Sequence, residues 1–512
     1  MAWVLSCLFA VAPFGPARSD VSVLAGPTPI VNGDAKAAGD ITVVNEKLAF
    51  SLAVQSAAPY GVPRGALIDL APVIDGKVGR DRVVFADFIP NNWSAWPNSY
   101  QHVDIVERGP ERAVIRTTRD WDKATIVTVY TLTSKSDHVE IRATLSNGGA
   151  VALPNLLSGL TLWPNSGFLF GVPGLQGVPE ASADAGLAHR VIAYDQDWAI
   201  ALHADYFDHV GDESKDLYQL NTLAPGQART FEGWLQVLPT GDIAPVVRAE
   251  IERRHLYAGS VHGTVRGEHG KAIEQPLVMV EQHGKPYAWV MGQAGTYGID
   301  LPEGEYTLYA TAKNYSQSRK LEMKVGRGSS QSLDFSNLGS PGRVRFAVTD
   351  AQGGKPLDAR IVIADGQKPF VEFLGRQTFF TDLDRRGRVD VPIAPGDYVF
   401  DVSSGGRFLG PSRRLRIKVA PGAVETANVA LRRLFDPPAR GWYCADLHHH
   451  ADQAEAVTPP ADLARSQLAA GLDLLFVSDH DSTVNHQAMQ RIADSRAVPF
   501  IPAVELSPSW GH

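Results

Sequence analysis

Apolar and polar residues alternate with a period of two through the first part of the chain. Ala113-Val114-Ile115-Arg116-Thr117-Thr118 and Thr125–Leu132 are β-branched and roughly alternating, and His138–Leu145 alternates cleanly. A period of two with Val, Ile and Thr predicts strands with one wet and one buried face. Long helical periodicity is missing from about 40 to 250. The expectation there is a large antiparallel sandwich spanning 40–250.

From about 257 the texture becomes that of two short β modules, 257–337 and 341–434. The first carries Gly263-Thr264-Val265-Arg266, then Gly295, then Pro302-Glu303-Gly304-Glu305-Tyr306. The second carries Gly342-Arg343-Val344-Arg345, then Gly387, then Ala394-Pro395-Gly396-Asp397-Tyr398. In both, the two turn glycines stand nine positions apart and the second turn leads into an alternating strand with Tyr. That is an internal duplication. Leu434–Gly441, with Pro437-Pro438, reads as the hinge into the C-terminal stretch.

The pattern changes again over 440–512. Short apolar runs end in His or a carboxylate: Cys444-Ala445-Asp446-Leu447-His448-His449-His450, Leu474–His480 and Phe500–Glu505. Between the first two, Thr458-Pro459-Pro460-Ala461-Asp462 starts a helix that Gly471 ends. A second helix fits roughly Asn485 to Ser495. The order strand, helix, strand, helix, strand has the length of a βα repeat and brings strand ends to one rim. His448, His450, His480 and Glu505 then share one mouth. In His-x-His on a strand both imidazoles face one way. Neutral imidazole and carboxylate suit Zn, Mn or Fe, and mixed sets with open positions support hydrolysis.

Other chemistry-bearing residues change the picture less. His203, Asp205, Asp208 and His209 form a polar cluster of irregular spacing. Asn91–Tyr100 is an aromatic, amide-rich loop that folds onto a sandwich edge or stacks on a sugar. Cys444 is a soft ligand or a buried apolar residue, and Asp481 and His486 read as polar loop residues at the rim. The 512 residues carry 48 Lys+Arg against 56 Asp+Glu, a formal charge of −8, with no basic footprint for nucleic acid. Two cysteines make no disulfide framework. Ala2–Ala12 is an apolar core followed by Pro13, Gly15 and Ala17, which gives residues 1–19 the look of a signal peptide and the protein a secreted or periplasmic address. Beyond it no apolar stretch reaches the roughly 18 residues of a membrane span.

The motifs of 440–512 resemble the PHP (polymerase and histidinol phosphatase) family of metal-dependent hydrolases, and within it the secreted CehA/McbA type. The family pattern is Asp-Leu-His-x-His, an acid about five residues on, Thr/Ser-Asp-His, a Glu closing a strand, and Gly-His. Asp446-Leu447-His448-His449-His450, Glu455, Ser478-Asp479-His480, Glu505 and Gly511-His512 match it. The resemblance implies metal ligation by His448, His450, Glu455, His480, Glu505 and His512, with Asp452 competing with Glu455. It places Asp446 and Asp479 behind the ligands, orienting imidazoles. It implies two or three divalent ions (Zn, Mn or Fe) and further strands beyond His512, so 440–512 reads as the first part of an incomplete domain. The modules at 257–337 and 341–434 resemble carboxypeptidase-regulatory-like, immunoglobulin-type sandwiches, and 40–250 is similar to the supersandwich folds found beside carbohydrate enzymes.

The expected protein is multidomain and mainly β, a large antiparallel sandwich plus two Ig-like sandwiches, with a partial C-terminal (β/α) barrel of PHP type. Its expected activity is hydrolysis of a small ester, either a phosphoester or a carboxyl ester or carbamate, by a metal-activated water. The rival is an exported carbohydrate-binding or cell-surface adhesion protein with a non-catalytic PHP remnant and a glycan ligand.

Overall fold

A computed structural model describes residues 20–506 apart from 60–61, 94–99, 122, 172–180, 183–188, 406–408, 454–455 and 457. The expected signal peptide at 1–19, Glu455, His512 and most of the aromatic loop at 91–100 lie outside the described residues.

The front of the chain folds into two antiparallel sheets of ten and eight strands. The larger is built around Leu48–Leu52, Leu67–Ile74, Val83–Ile89 and Leu153–Pro164, the smaller around Arg112–Trp121, Ala124–Thr133, His138–Asn147 and Ala228–Leu238. The alternation read at His138–Asn147 is the alternation observed: Val139, Ile141, Ala143 and Leu145 are buried while Glu140 and Arg142 are exposed. They join Phe50, Phe88, Tyr130 and Phe231 in one core between the sheets. This apolar filling orders so large a sandwich. The first strand, Ser22–Ala25, pairs with Ile41–Val44 and lies ahead of the expected start at 40. A helix, Ala244–Arg253, follows the last strand. It buries Val246 and Val247, and its Glu250 pairs with the buried Arg190.

The two modules share one strand plan. In the first, Ala258–Gly267 pairs antiparallel with Thr296–Pro302 and parallel with Ser330–Ser332, facing the sheet Lys285–Met291, Leu277–Gln282, Gly304–Thr311, Leu321–Val325. In the second, Gly342–Asp350 pairs antiparallel with Arg388–Ile393 and parallel with Val424–Leu431, facing Thr378–Phe380, Arg360–Asp365, Gly396–Ser403, Arg413–Val419. The two tyrosines singled out by the repeat make the same bond: Tyr306 Oη donates to Pro302 O and Tyr398 Oη to Ala394 O, both at 2.9 Å. Val371 and Leu374 of the second module pack into a cluster with Tyr194 of the front sandwich and Trp289 of the first module. The chain thus doubles back, and its C-terminal part returns toward the front.

That C-terminal part holds two helices, Pro460–Ala470 and His486–Arg496, and a parallel pair, Leu475–Val477 with Phe500–Pro502. Gly471, at φ +85°, caps the first helix as its position predicts. Among the described residues this is a single βαβ crossover, and no closed barrel is formed. The expected first strand is also different. Cys444–His450 runs extended beside Leu475–Val477 but forms no ladder with it. The helix explains why. The buried Gln467 turns its amide onto the strand, accepting from Phe476 N at 3.1 Å and donating to Phe476 O at 2.7 Å. A side chain occupies the place that a neighbouring backbone would take.

Candidate metal centre

His448 and His450 stand two apart on an extended segment, so their rings share a face although no sheet holds them. His449 between them turns the other way. Its Nε2 lies 3.3 Å from Asp446 Oδ2, Gln467 Nε2 meets its Nδ1 at 2.9 Å, and its carbonyl accepts from Ser478 N at 2.7 Å. These ties fix the segment in register with the strand leading to His480. Past the two-stranded sheet, His480 and Glu505 form one more parallel bridge. The crossover therefore delivers them side by side.

Four side chains converge. Glu505 Oε2 is 2.8 Å from His448 Nε2, 2.9 Å from His450 Nε2 and 3.7 Å from His480 Nε2. The Nε2 atoms of His448 and His450 are 3.0 Å apart. The His450 and His480 rings lie 4.7 Å centre to centre. Ligand atoms about 2.1 Å from one ion sit roughly 3.0–3.4 Å from each other, so this spacing is that of neighbouring corners of a coordination polyhedron. Among the described residues, His448, His450 and Glu505 form a group of the size and donor type that holds a metal ion. Burial pushes the Glu505 carboxyl up, but the facing His480, His448 and His450 together outweigh it and hold the group below its usual range. The carboxylate is thus ionised and available as a donor.

The supporting residues sit differently from the resemblance. Asp446 contacts His449, and its Oδ1 accepts the His448 backbone N–H at 3.3 Å. Buried Asp479 accepts from Ala451 N at 2.6 Å and Asn485 Nδ2 at 2.8 Å, and Asn485 also donates to Asp452 at 2.9 Å. Asp479 therefore positions the backbone next to His450, while His450 Nδ1 is buried with no hydrogen-bond partner among the described residues. The sequence reading missed Gln467 and took His486 for a loop residue, whereas His486 opens the second helix. Gln467 braces the His449 ring, and His486 Nε2 lies 2.9 Å from Ala503 O, two residues before Glu505. A His one residue into a helix start and a Gln inside a helix carry no pattern that announces such a role.

Cys444 is half-buried, and its N–H donates to Asp473. The second polar cluster does not gather: His203 is buried against Gln236 at 3.1 Å, Asp205 binds Arg253 at 2.7 Å, and Asp208 pairs with His209. No helix among the described residues is long and apolar enough to cross a membrane.

No protein-family profile matches the chain. A stretch of 67 residues, 13% of the chain, is 33% identical to a 3',5'-nucleoside bisphosphate phosphatase of Chromobacterium violaceum. The match covers 24% of that protein's length. Solved structures with partial likeness include the TIE protein of Bacillus anthracis (12% identity, 68% of this chain and 58% of that one, TM-score 0.17). A putative aldose 1-epimerase from Escherichia coli K12 is 14% identical over 38% of this chain and 98% of its own, with a TM-score of 0.27. The GH36 α-galactosidase AgaB of Geobacillus stearothermophilus is 11% identical over 43% and 41%, with a TM-score of 0.29. Likeness at these scores adds nothing to the reading of the site.

Proposed function

We propose that the protein is a metal-dependent hydrolase of ester-type bonds, with phosphoesters the first class to test. The convergence of His448, His450 and Glu505 at 2.8–3.0 Å carries this reading, with His480 beside them. The partial similarity to a phosphatase agrees with it in sequence. His448, His450, His480 and Glu505 would hold the ions, of which Zn, Mn or Fe suit the donors, and Glu455 and His512 are proposed to join them. Bound there, divalent ions would supply a water of lowered pKa and Lewis-acid polarisation of the ester. The chain's own part is to present three imidazoles and one carboxylate preassembled. Asp479 and Gln467 lock the backbone and ring that flank His450 and His449.

The test is metal content together with turnover. The protein is expected to retain transition metal after gel filtration and to hydrolyse 4-nitrophenyl phosphate or an aryl carbamate, with both properties lost in His448→Ala. Protein that holds no metal above the level of His448→Ala would overturn the reading.

A further inference from the structure

His448 at the metal rim is open to solvent, while the His480 side of the rim faces the front sandwich. A cleft of about 980 Å³ lies between it and the front sandwich, and His480 lines it. That volume is at the upper end for small-molecule sites. One wall is Asp452, His480 and the turn Asp481–Asn485 that leads into the helix His486–Arg496. The other wall comes from far earlier in the chain: Asn32, Lys36, Arg80 and Arg82, with Ser166.

The charges on the two walls differ. Every lysine and arginine in the lining belongs to the front sandwich, beside Asp34 and Asp81, while the rim side carries only the acids Asp452 and Asp481 among its charged groups apart from His480. Lys36 is drawn to Asp34 and Arg82 to Asp197, each at 3.8 Å. Arg80 is exposed, and its Nε and Nη2 reach the Asn32 side-chain oxygen when that amide is turned to match them. Among the described residues no carboxylate pairs with it. Its acidic neighbour Asp81 is pushed well up by burial and then by Asp69, and Asp34 is pushed up by burial. Asn32 (φ 63°), Ser166 (φ 70°) and Asp481 (φ 49°) all hold left-handed backbone along the cleft. Residues kept in this sparsely populated region cluster at ligand clamps.

We propose that this cleft is the substrate channel of the metal centre and that the front sandwich supplies its far wall. Arg80 holds an anionic group on the part of the ester that is not cleaved. The proposal rests on the hydrolase reading for its role and on the cleft geometry for its place. A planar fork suits a phosphate or carboxylate oxygen pair, and the start of the helix His486–Arg496 adds a partial positive charge to the same space.

Inorganic pyrophosphate, titrated calorimetrically into the chelator-treated full chain, tests the cleft without turnover. Binding is expected to weaken about tenfold or more in Arg80→Ala and less in Arg80→Lys. It should also weaken in Thr483→Trp, which narrows the cleft from the opposite wall, and stay unchanged in the remote Lys285→Ala. Wild-type chain that binds no pyrophosphate, or Arg80→Ala or Thr483→Trp chains that bind it as wild type does, would overturn the proposal. Pyrophosphate bound through Arg80 by a chain that takes up no metal would overturn the hydrolase reading, and with it the substrate role.

Discussion

At the scale of single residues, the site among the described residues depends on one carboxylate. Glu505 gathers three imidazoles, so Glu505→Gln keeps the shape and removes the charge that draws a cation. The expected outcome is a loss of most bound metal, read by elemental analysis, with an unchanged far-ultraviolet spectrum. A different histidine governs acid stability. Burial drives His203 down to about 3, against a weaker opposing hydrogen bond to Gln236. Unfolded, its pKa returns to about 6.5. The unfolded chain then takes up a proton that the folded chain refuses, so this contribution is intact above pH ~6.5 and lost as pH falls below it. The slope reaches about 1.4 kcal/mol per pH unit. His203→Gln should therefore lose less stability than wild type between pH 7 and pH 5, as urea melts at the two pH values will show.

At the scale of elements, the helix Pro460–Ala470 performs a strand's task. Gln467→Leu keeps the bulk but leaves both backbone groups of Phe476 unpaired. The expected loss is about 2–3 kcal/mol in denaturant unfolding, together with weaker metal retention because His449 loses its brace. Both helices of this region were legible in the sequence, the first from the punctuation of Pro459-Pro460 and Gly471, the second from the apolar side that buries Met489 and Ala493. The strand expected at Cys444–His450 was not formed because its partner was taken by a side chain 17 or more positions on, which no local pattern records. The facing of His448 and His450 survived nonetheless, because extended backbone alternates with or without a ladder. The helix Ala244–Arg253 went unread because neither Ile243 at its start nor Arg254 at its end is a capping signal.

At the scale of the whole molecule, the C-terminal unit is fastened to the second module. Arg496 reaches Asp358 with Nη2 at 2.7 and 2.9 Å and donates through Nη1 to Leu383 O at 2.8 Å, and Arg386 shares the same carboxylate at 3.1 Å. The Arg496–Asp358 pair is nearly sealed from water. Removing one partner of a buried pair costs roughly 3 kcal/mol or more. Arg496→Ala should accordingly release the region after 440 to limited proteolysis while the sandwiches stay protected. The duplicated modules and the front sandwich were readable from alternation and turn spacing. The cleft was not, because it joins residues near 32, 80 and 166 to residues near 480, and only the return of the chain through Val371 and Leu374 brings them together.

The amide of Gln467 also gives the small parallel sheet a direction. With the Phe476 edge already occupied, an incoming segment finds its berth among the described residues alongside Phe500–Pro502, where Ile501 is exposed. Growth of this sheet by recruitment of another chain segment then proceeds outward from there, away from the imidazoles.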